Sequence, residues 1–248
     1  MPFVAPRRRA PDRVWPCLLG AALLAASGGA RAELVPLDGA GSVPPPWRFA
    51  GLPDQKLPAT RYDVVDLDGR RVLRVAADGA YGNLVHPASG RGGTLRWSWR
   101  MDRLAAGSDL RKREGDDAAL KVCAMFELPL ESVPFWERQG LRLARSLSGE
   151  ALPAATLCYV WDARLPPGTV LRNVYTARMR WIVLQGAGST TGQWRDERRD
   201  LAADFLRAFG DEASTVPPLQ AIAVGADTDN TGSSSLAYLS GLQLEPAR

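Results

Sequence analysis

The 248-residue chain carries 31 basic and 27 acidic side chains; residues 1–32 hold five arginines and one aspartate, so the remainder is formally neutral with 26 of each. Neutrality removes the basic footprint that contact with a phosphate backbone requires, which excludes nucleic acid as a partner. A single histidine, His86, and no CxxC spacing argue against a zinc site and leave a Ser-His-Asp or Cys-His system only one base to use.

Arg7, Arg8, Arg9 and Arg13 precede an apolar run over residues 14–26 and the small-residue sequence Ala30-Arg31-Ala32. That order predicts a secretory signal peptide over residues 1–32, with a mature chain starting at Glu33 and a periplasmic or secreted location. No long apolar run follows, so no membrane span is expected. Residues 33–46 read as a lead-in stiffened by Pro44-Pro45-Pro46, and residues 47–248 as one domain.

From Arg61 the pattern is β. Residues 62–66 and 72–75 flank Asp68-Gly69, the signature of a hairpin. A strand follows at about 82–86, where Pro87 and Ala88-Ser89-Gly90 place His86 at an exposed strand end. Leu95-Arg96-Trp97-Ser98-Trp99-Arg100 alternates strictly, which puts Leu95, Trp97 and Trp99 on one face, read as core. Residues 118–128, 156–161, 178–184, 219–225 and 237–244 supply further strands, separated by turn signals such as Pro166-Pro167-Gly168. Two segments break the pattern. Leu201, Phe205 and Phe209 recur every four residues and predict an amphipathic helix over 196–210, stopped by Gly210. Residues 131–148 form a weaker helical pattern, an excursion outside the sheets. Many short strands with few helices predict a mainly β fold, an antiparallel β-sandwich of jelly-roll type with one or two short helices.

Five phrases occur in order: Gly115-Asp116-Asp117-Ala118-Ala119, Leu157-Cys158-Tyr159-Val160-Trp161, Asn173-Val174-Tyr175-Thr176, Trp194-Arg195-Asp196-Glu197-Arg198-Arg199-Asp200 and Asp227-Thr228-Asp229-Asn230-Thr231. Together they resemble the bacterial exported domain-of-unknown-function family 3047 over about residues 47–245. The resemblance implies export and carries no chemistry. In overall pattern the chain is also similar to carbohydrate-binding jelly rolls, an analogy that bears on fold.

Several clusters are candidates for chemistry. Asp227-Thr228-Asp229-Asn230-Thr231-Gly232 has the spacing of half a calcium loop, with Asp227 and Asp229 as ligands of a structural calcium, alone or with Asp116 or Asp117; as a turn, the same residues bond their own backbone. Position twelve is Tyr238, so the loop is not an EF-hand. Asp116, Asp117, Asp162, Asp227 and Asp229 are the acids from which a glycoside hydrolase would draw a pair. Trp161, beside Asp162 at a strand end, and Trp194, beside Arg195 just before the helix, are the aromatics placed to stack on a sugar. Cys123 and Cys158 are either a disulfide or two buried thiols.

The leading expectation is a non-catalytic exported β-sandwich that binds an envelope glycan or other polar small ligand through Asp116, Asp117, Trp161, Asp162, Trp194, Asp229 and Asn230. The alternatives are a carbohydrate-active hydrolase using paired aspartates and a structural or assembly protein of the envelope. The sequence carries no signal for an oligomeric state.

Overall fold

The computed structural model describes residues 33–39, 42–52, 54–148, 152–245 and 247; the expected signal peptide lies outside the described residues. The strands are β1 (Arg48–Ala50), β2 (Arg61–Leu67), β3 (Arg70–Asp78), β4 (Tyr81–Pro87), β5 (Thr94–Arg103), β6 (Lys121–Phe126), β7 (Ala155–Trp161), β8 (Val170–Arg172), β9 (Met179–Gln185), β10 (Trp194–Asp200), β11 (Leu219–Asp227) and β12 (Ser234–Glu245). Helix α1 (Phe135–Ser148) lies between β6 and β7, and α2 (Leu201–Phe209) follows β10.

The strands form a seven-stranded sheet, β1-β4-β11-β6-β7-β9-β8, and a five-stranded sheet, β10-β5-β12-β3-β2. If β3, β4, β5, β6, β7, β10, β11 and β12 are counted in chain order, one sheet runs first, eighth, third, sixth and the other second, seventh, fourth, fifth. That is the double Greek key of a jelly roll. Outside this frame β1 and β2 extend edges, and β8 and β9 extend the larger sheet, with β9 parallel to β7.

The β2–β3 hairpin turns at Asp68 and Gly69, with φ of 52° and 75°. Two left-handed residues make the tight turn whose twist matches its strands, and Asp-Gly tolerates it best. Leu95, Trp97, Trp99 and Met101 of β5 face inward and are buried. Opposite them, Leu157, Tyr159 and Trp161 of β7 complete the core. Ring centroids stand 5.4 Å apart between Trp97 and Tyr159 and 5.7 Å apart between Trp99 and Trp161. This aromatic stack bridges the sheets in the tilted geometry that ring quadrupoles favour. Every residue of β7 is buried, because loops cover the outer face of the larger sheet while the core covers the inner one.

Three expectations change. Residues 194–200 are an edge strand paired with β5, and the helix begins only at Leu201. Their charges find cross-strand partners: Asp196 accepts from the Ser98 hydroxyl and Glu197 from the Trp99 indole at 3.1 Å. Charged side chains suit a sheet edge. Asp200 then caps α2, accepting from the amides of Ala202 and Ala203 at 2.9 and 3.1 Å. Second, β6 starts at Lys121, and residues 118–120 are buried loop. Third, His86 is buried. Its Nε2 accepts from the Val35 amide at 3.2 Å, its Nδ1 donates to the Pro87 carbonyl at 2.6 Å, and Trp47 packs edge-on at 5.0 Å. Val35 and Trp47 cover that strand, and Leu34, Leu37 and Trp47 join the main core. Both ring nitrogens are spent on the backbone, which withdraws His86 from catalysis.

Cys123 and Cys158, opposite each other on β6 and β7, form a disulfide 35 residues apart in sequence. It crosslinks the two strands at the centre of the larger sheet and closes the loop that carries α1. Replacing both cysteines by alanine is expected to cost about 2–4 kcal/mol by releasing the unfolded chain, measured as a lower urea midpoint with a steeper slope, since the uncrosslinked denatured chain exposes more surface.

Candidate functional site

Three segments meet at one end of the larger sheet: residues 113–120 leading into β6, the β8–β9 turn at 173–178, and the β11–β12 turn at 228–233. Asp227, the last residue of β11, accepts at Oδ1 from the Lys121 ammonium and from the Ala118 amide, both at 3.0 Å. Both side chains are nearly inaccessible. Lys121 lies across β11 where Gly225 stands; a Cβ there would come within 2.0 Å of Asn83 Oδ1 and 3.0 Å of Lys121 Cε. A side chain at 225 would thus displace Asn83 and crowd the lysine stem.

Asp117 holds the neighbouring turn. Its oxygens accept from the Asn230 amide at 3.0 Å, the Thr231 amide at 2.9 Å and the Thr231 hydroxyl. Asp116 accepts from Asn173 Nδ2 at 2.6 Å through Oδ2, while its Oδ1 is buried with no donor in contact. Asn173 Oδ1 accepts from the amides of Tyr175 and Thr176 at 2.9 and 3.2 Å, which sets the direction of the Tyr175 ring. The Tyr175 hydroxyl donates to the Arg113 carbonyl and accepts from Asn230 Nδ2, each at 3.0 Å, and the Arg113 guanidinium lies 5.3 Å from the ring centroid.

Asp116, Asp227 and Asp229 share one ammonium here, that of Lys121, and burial works against each of these charges. Burial pushes Asp116 up to about 6, with the Asn173 hydrogen bond pulling the other way and Asp227 adding to the rise. Burial and the Asp227 charge likewise raise Asp229, whose Oδ1 is also buried without a donor. Burial raises Asp227 against the pull of Lys121. Burial alone would lower Lys121, but Asp227, with Tyr81 and Asp116, more than reverses this and holds it above the ordinary lysine range. Lys121 is the cation of the cluster.

Five of the predicted residues, Asp116, Asp117, Asp227, Asp229 and Asn230, thus come together from turns more than a hundred residues apart in the chain. The other three do not join them. Trp161 is core, stacked on Trp99, so it offers no sugar platform. Asp162 caps its own turn, accepting from the Arg164 amide at 2.7 Å and from the Leu165 amide. Trp194 opens β10 on the smaller sheet, covered by the Arg70 guanidinium 3.9 Å from its ring centroid. The calcium expectation meets a different cation: Asp227 faces Lys121, Asp117 is consumed by turn donors, and among the described residues no group of three or more His, Cys, Asp or Glu is placed to hold a metal. Asp116, Asp117, Asp162 and Asp227 are each more than nine-tenths buried, out of reach of a glycosidic bond.

Sequence reasoning passed over Lys121, Asn173 and Arg113. Lys121 carried a signal, since a lone cation at the head of an apolar strand needs a buried acid.

Tyr175 also borders a cleft of about 610 Å³ between α1 and the β8–β9 turn, with Leu141, Leu152, Pro153 and Met179 as apolar lining and Thr156 and Thr176 as polar edges. One face of the Tyr175 surroundings is therefore apolar and the other is the polar cluster. A second cleft, about 620 Å³ between residues 33–34, 89–92 and 243–245, holds none of the cluster's residues.

Residues 45–243 match the family model described as "Protein of unknown function (DUF3047)". A comparison with curated proteins gives no match. Among solved structures, one on the promiscuous specificity of carbohydrate-binding modules from the beta-sandwich superfamily aligns at 13% identity and a TM-score of 0.31. That alignment covers 80% of this chain, which spans 57% of that structure's length.

Two outcomes follow from the buried charges. Lys121→Ala leaves Asp227 buried and unpaired and is expected to destabilise the fold by about 3–5 kcal/mol, with Lys121→Met/Asp227→Leu recovering most of it, both read from urea unfolding. Asp116 binds a proton more tightly folded than unfolded, so its contribution is retained below about pH 4 and lost as pH rises through about 6. Asp116→Asn, which keeps the acceptor for Asn173, should raise the thermal midpoint at pH 7–8 and leave it nearly unchanged at pH 4.

Proposed function

This chain belongs to the DUF3047 family, and from its site we propose that it is an exported, non-catalytic β-sandwich that binds a saccharide or similar polar ligand at Tyr175. The observation that carries the reading is the Tyr175 ring itself, 57% exposed yet fixed at its hydroxyl by Arg113 and Asn230. Sugars present an apolar face that stacks on such a ring and hydroxyls that bond to a polar rim. Here Asn230, Thr176 and Arg113 supply the rim, and the adjoining apolar cleft accepts the ligand's remaining surface. A ring held in place before binding loses little freedom on contact.

Burial of four of the five candidate acids, all but Asp229, favours binding over hydrolysis, because a general acid must reach the leaving oxygen and hydrolysis needs a pair. Export is supported by the charged, apolar and small-residue order of residues 1–32 and by a disulfide of the kind that persists in oxidising compartments.

Titration calorimetry of the purified protein against a glycan panel tests the reading. Saturable binding by at least one saccharide is expected, with Tyr175→Ala weakening it at least tenfold while the circular dichroism spectrum stays unchanged. A folded protein that binds no member of a broad panel would sink it.

A further inference from the structure

Helix α1 is amphipathic in an unusual sense, since it carries apolar side chains on two sides. The inner side is anchored. Leu141 is buried, Glu137 meets the Arg178 guanidinium at 2.5 Å, and Arg145 Nε donates to the Leu152 carbonyl at 2.8 Å. These contacts fix the rotation of the helix, so its outward face is set. That face holds Trp136 and Leu143, two turns apart on one stripe, with Phe135 beside it. Trp136 is 82% exposed, Leu143 61% and Phe135 53%. Three large apolar side chains open to water on a single helix are an interaction surface rather than scattered exposure.

The charges beside the stripe have one sign. Glu137, the only acid of α1, is held by Arg178, which leaves Arg138 and Arg142 without carboxylate partners among the described residues. Arg138 lies against the Phe135 ring, 5.6 Å from its centroid, and its Nε has no acceptor. An exposed Trp, Phe and Leu stripe flanked by unpaired arginines matches the interface of a bilayer with acidic headgroups, where aromatic rings lie at headgroup level and cations meet phosphates. A second copy of the chain fits poorly, because a two-fold contact through this stripe would oppose the arginines of one copy with those of the other.

We propose that α1 is a membrane-docking helix, laying Phe135, Trp136 and Leu143 into the headgroup region of an anionic lipid surface while Arg138 and Arg142 contact lipid phosphates. The docking is peripheral; no helix among the described residues is long and apolar enough to cross a membrane. It is independent of ligand binding at Tyr175.

Flotation with large vesicles tests this, using the chain from Glu33 onward, which contains the described core and omits the arginine-rich residues 1–32. Binding to vesicles of phosphatidylcholine and phosphatidylglycerol at 3:1 is expected, with little to phosphatidylcholine alone and displacement as salt rises. Trp136→Ala/Leu143→Ala should reduce the bound fraction at least tenfold at an unchanged thermal midpoint, and Arg138→Gln/Arg142→Gln should abolish the preference for the anionic vesicles. Absence of vesicle binding by the folded protein, or equal binding by the Trp136→Ala/Leu143→Ala variant, overturns the proposal. So does concentration-dependent self-association in ultracentrifugation that the same variant removes, with vesicles unbound; the stripe would then be an interface between copies.

Discussion

The contact between Lys121 and Asp227 organises the end of the molecule where the candidate site lies. Taking both charges out of water costs several kcal/mol, and their attraction offsets that cost only with good geometry and additional hydrogen bonds. The Ala118 amide supplies one such bond. The pair therefore stays closed, and closing it fixes the head of β6 against the tail of β11. Residues 113–120 and 228–233 are then adjacent, Asp117 can cap the facing turn, and Arg113 and Asn230 can hold the Tyr175 hydroxyl. The position of one exposed ring thus depends on a buried ion pair below it.

The same geometry accounts for how the acidic cluster spends its carboxylates. Each carboxylate oxygen with a strong donor nearby is spent on holding a turn or on Lys121. The two inaccessible oxygens that lack donors, on Asp116 and Asp229, belong to carboxyls whose burial favours the neutral form. The cluster is a scaffold with a pH-sensitive charge, and the recognition chemistry lies at its solvent edge. The two surfaces at the larger sheet's periphery, the Tyr175 cleft and the outer stripe of α1, share the same helix. The inner side of α1 lines the cleft and its outer side meets solvent, which explains how a helix outside the sandwich can be apolar on both sides.

Much of the fold was legible along the chain. Strict alternation at 95–100 placed Trp97 and Trp99 in the core, Asp68-Gly69 announced the hairpin, and the i, i+4 spacing of Leu201, Phe205 and Phe209 marked α2. These are signals of period and turn chemistry, carried by a few adjacent residues. Errors arose where a side chain's fate depends on distant partners. The 194–200 run holds charges that suit a helix start equally well, and only pairing with Ser98 and Trp99 makes it an edge strand. His86 looked exposed because its cover comes from Val35, in the segment that read as a lead-in, and from Trp47, which follows it.

For the candidate site the division is sharper. The acids, the Asp-Thr-Asp-Asn turn and the two cysteines were visible as chemical types, because residue identity is local. Their roles were not: Asp162 and Trp161 sit side by side in sequence at the end of one strand, yet one caps a turn and the other fills the core. The sequence by itself determined the strand periodicity, the sandwich class and the inventory of acids and rings. Tertiary structure alone decided that Lys121 neutralises Asp227, that Cys123 joins Cys158, and that Tyr175 and the stripe of α1 remain in water, since burial and pairing are set by segments brought together only when the sheets close.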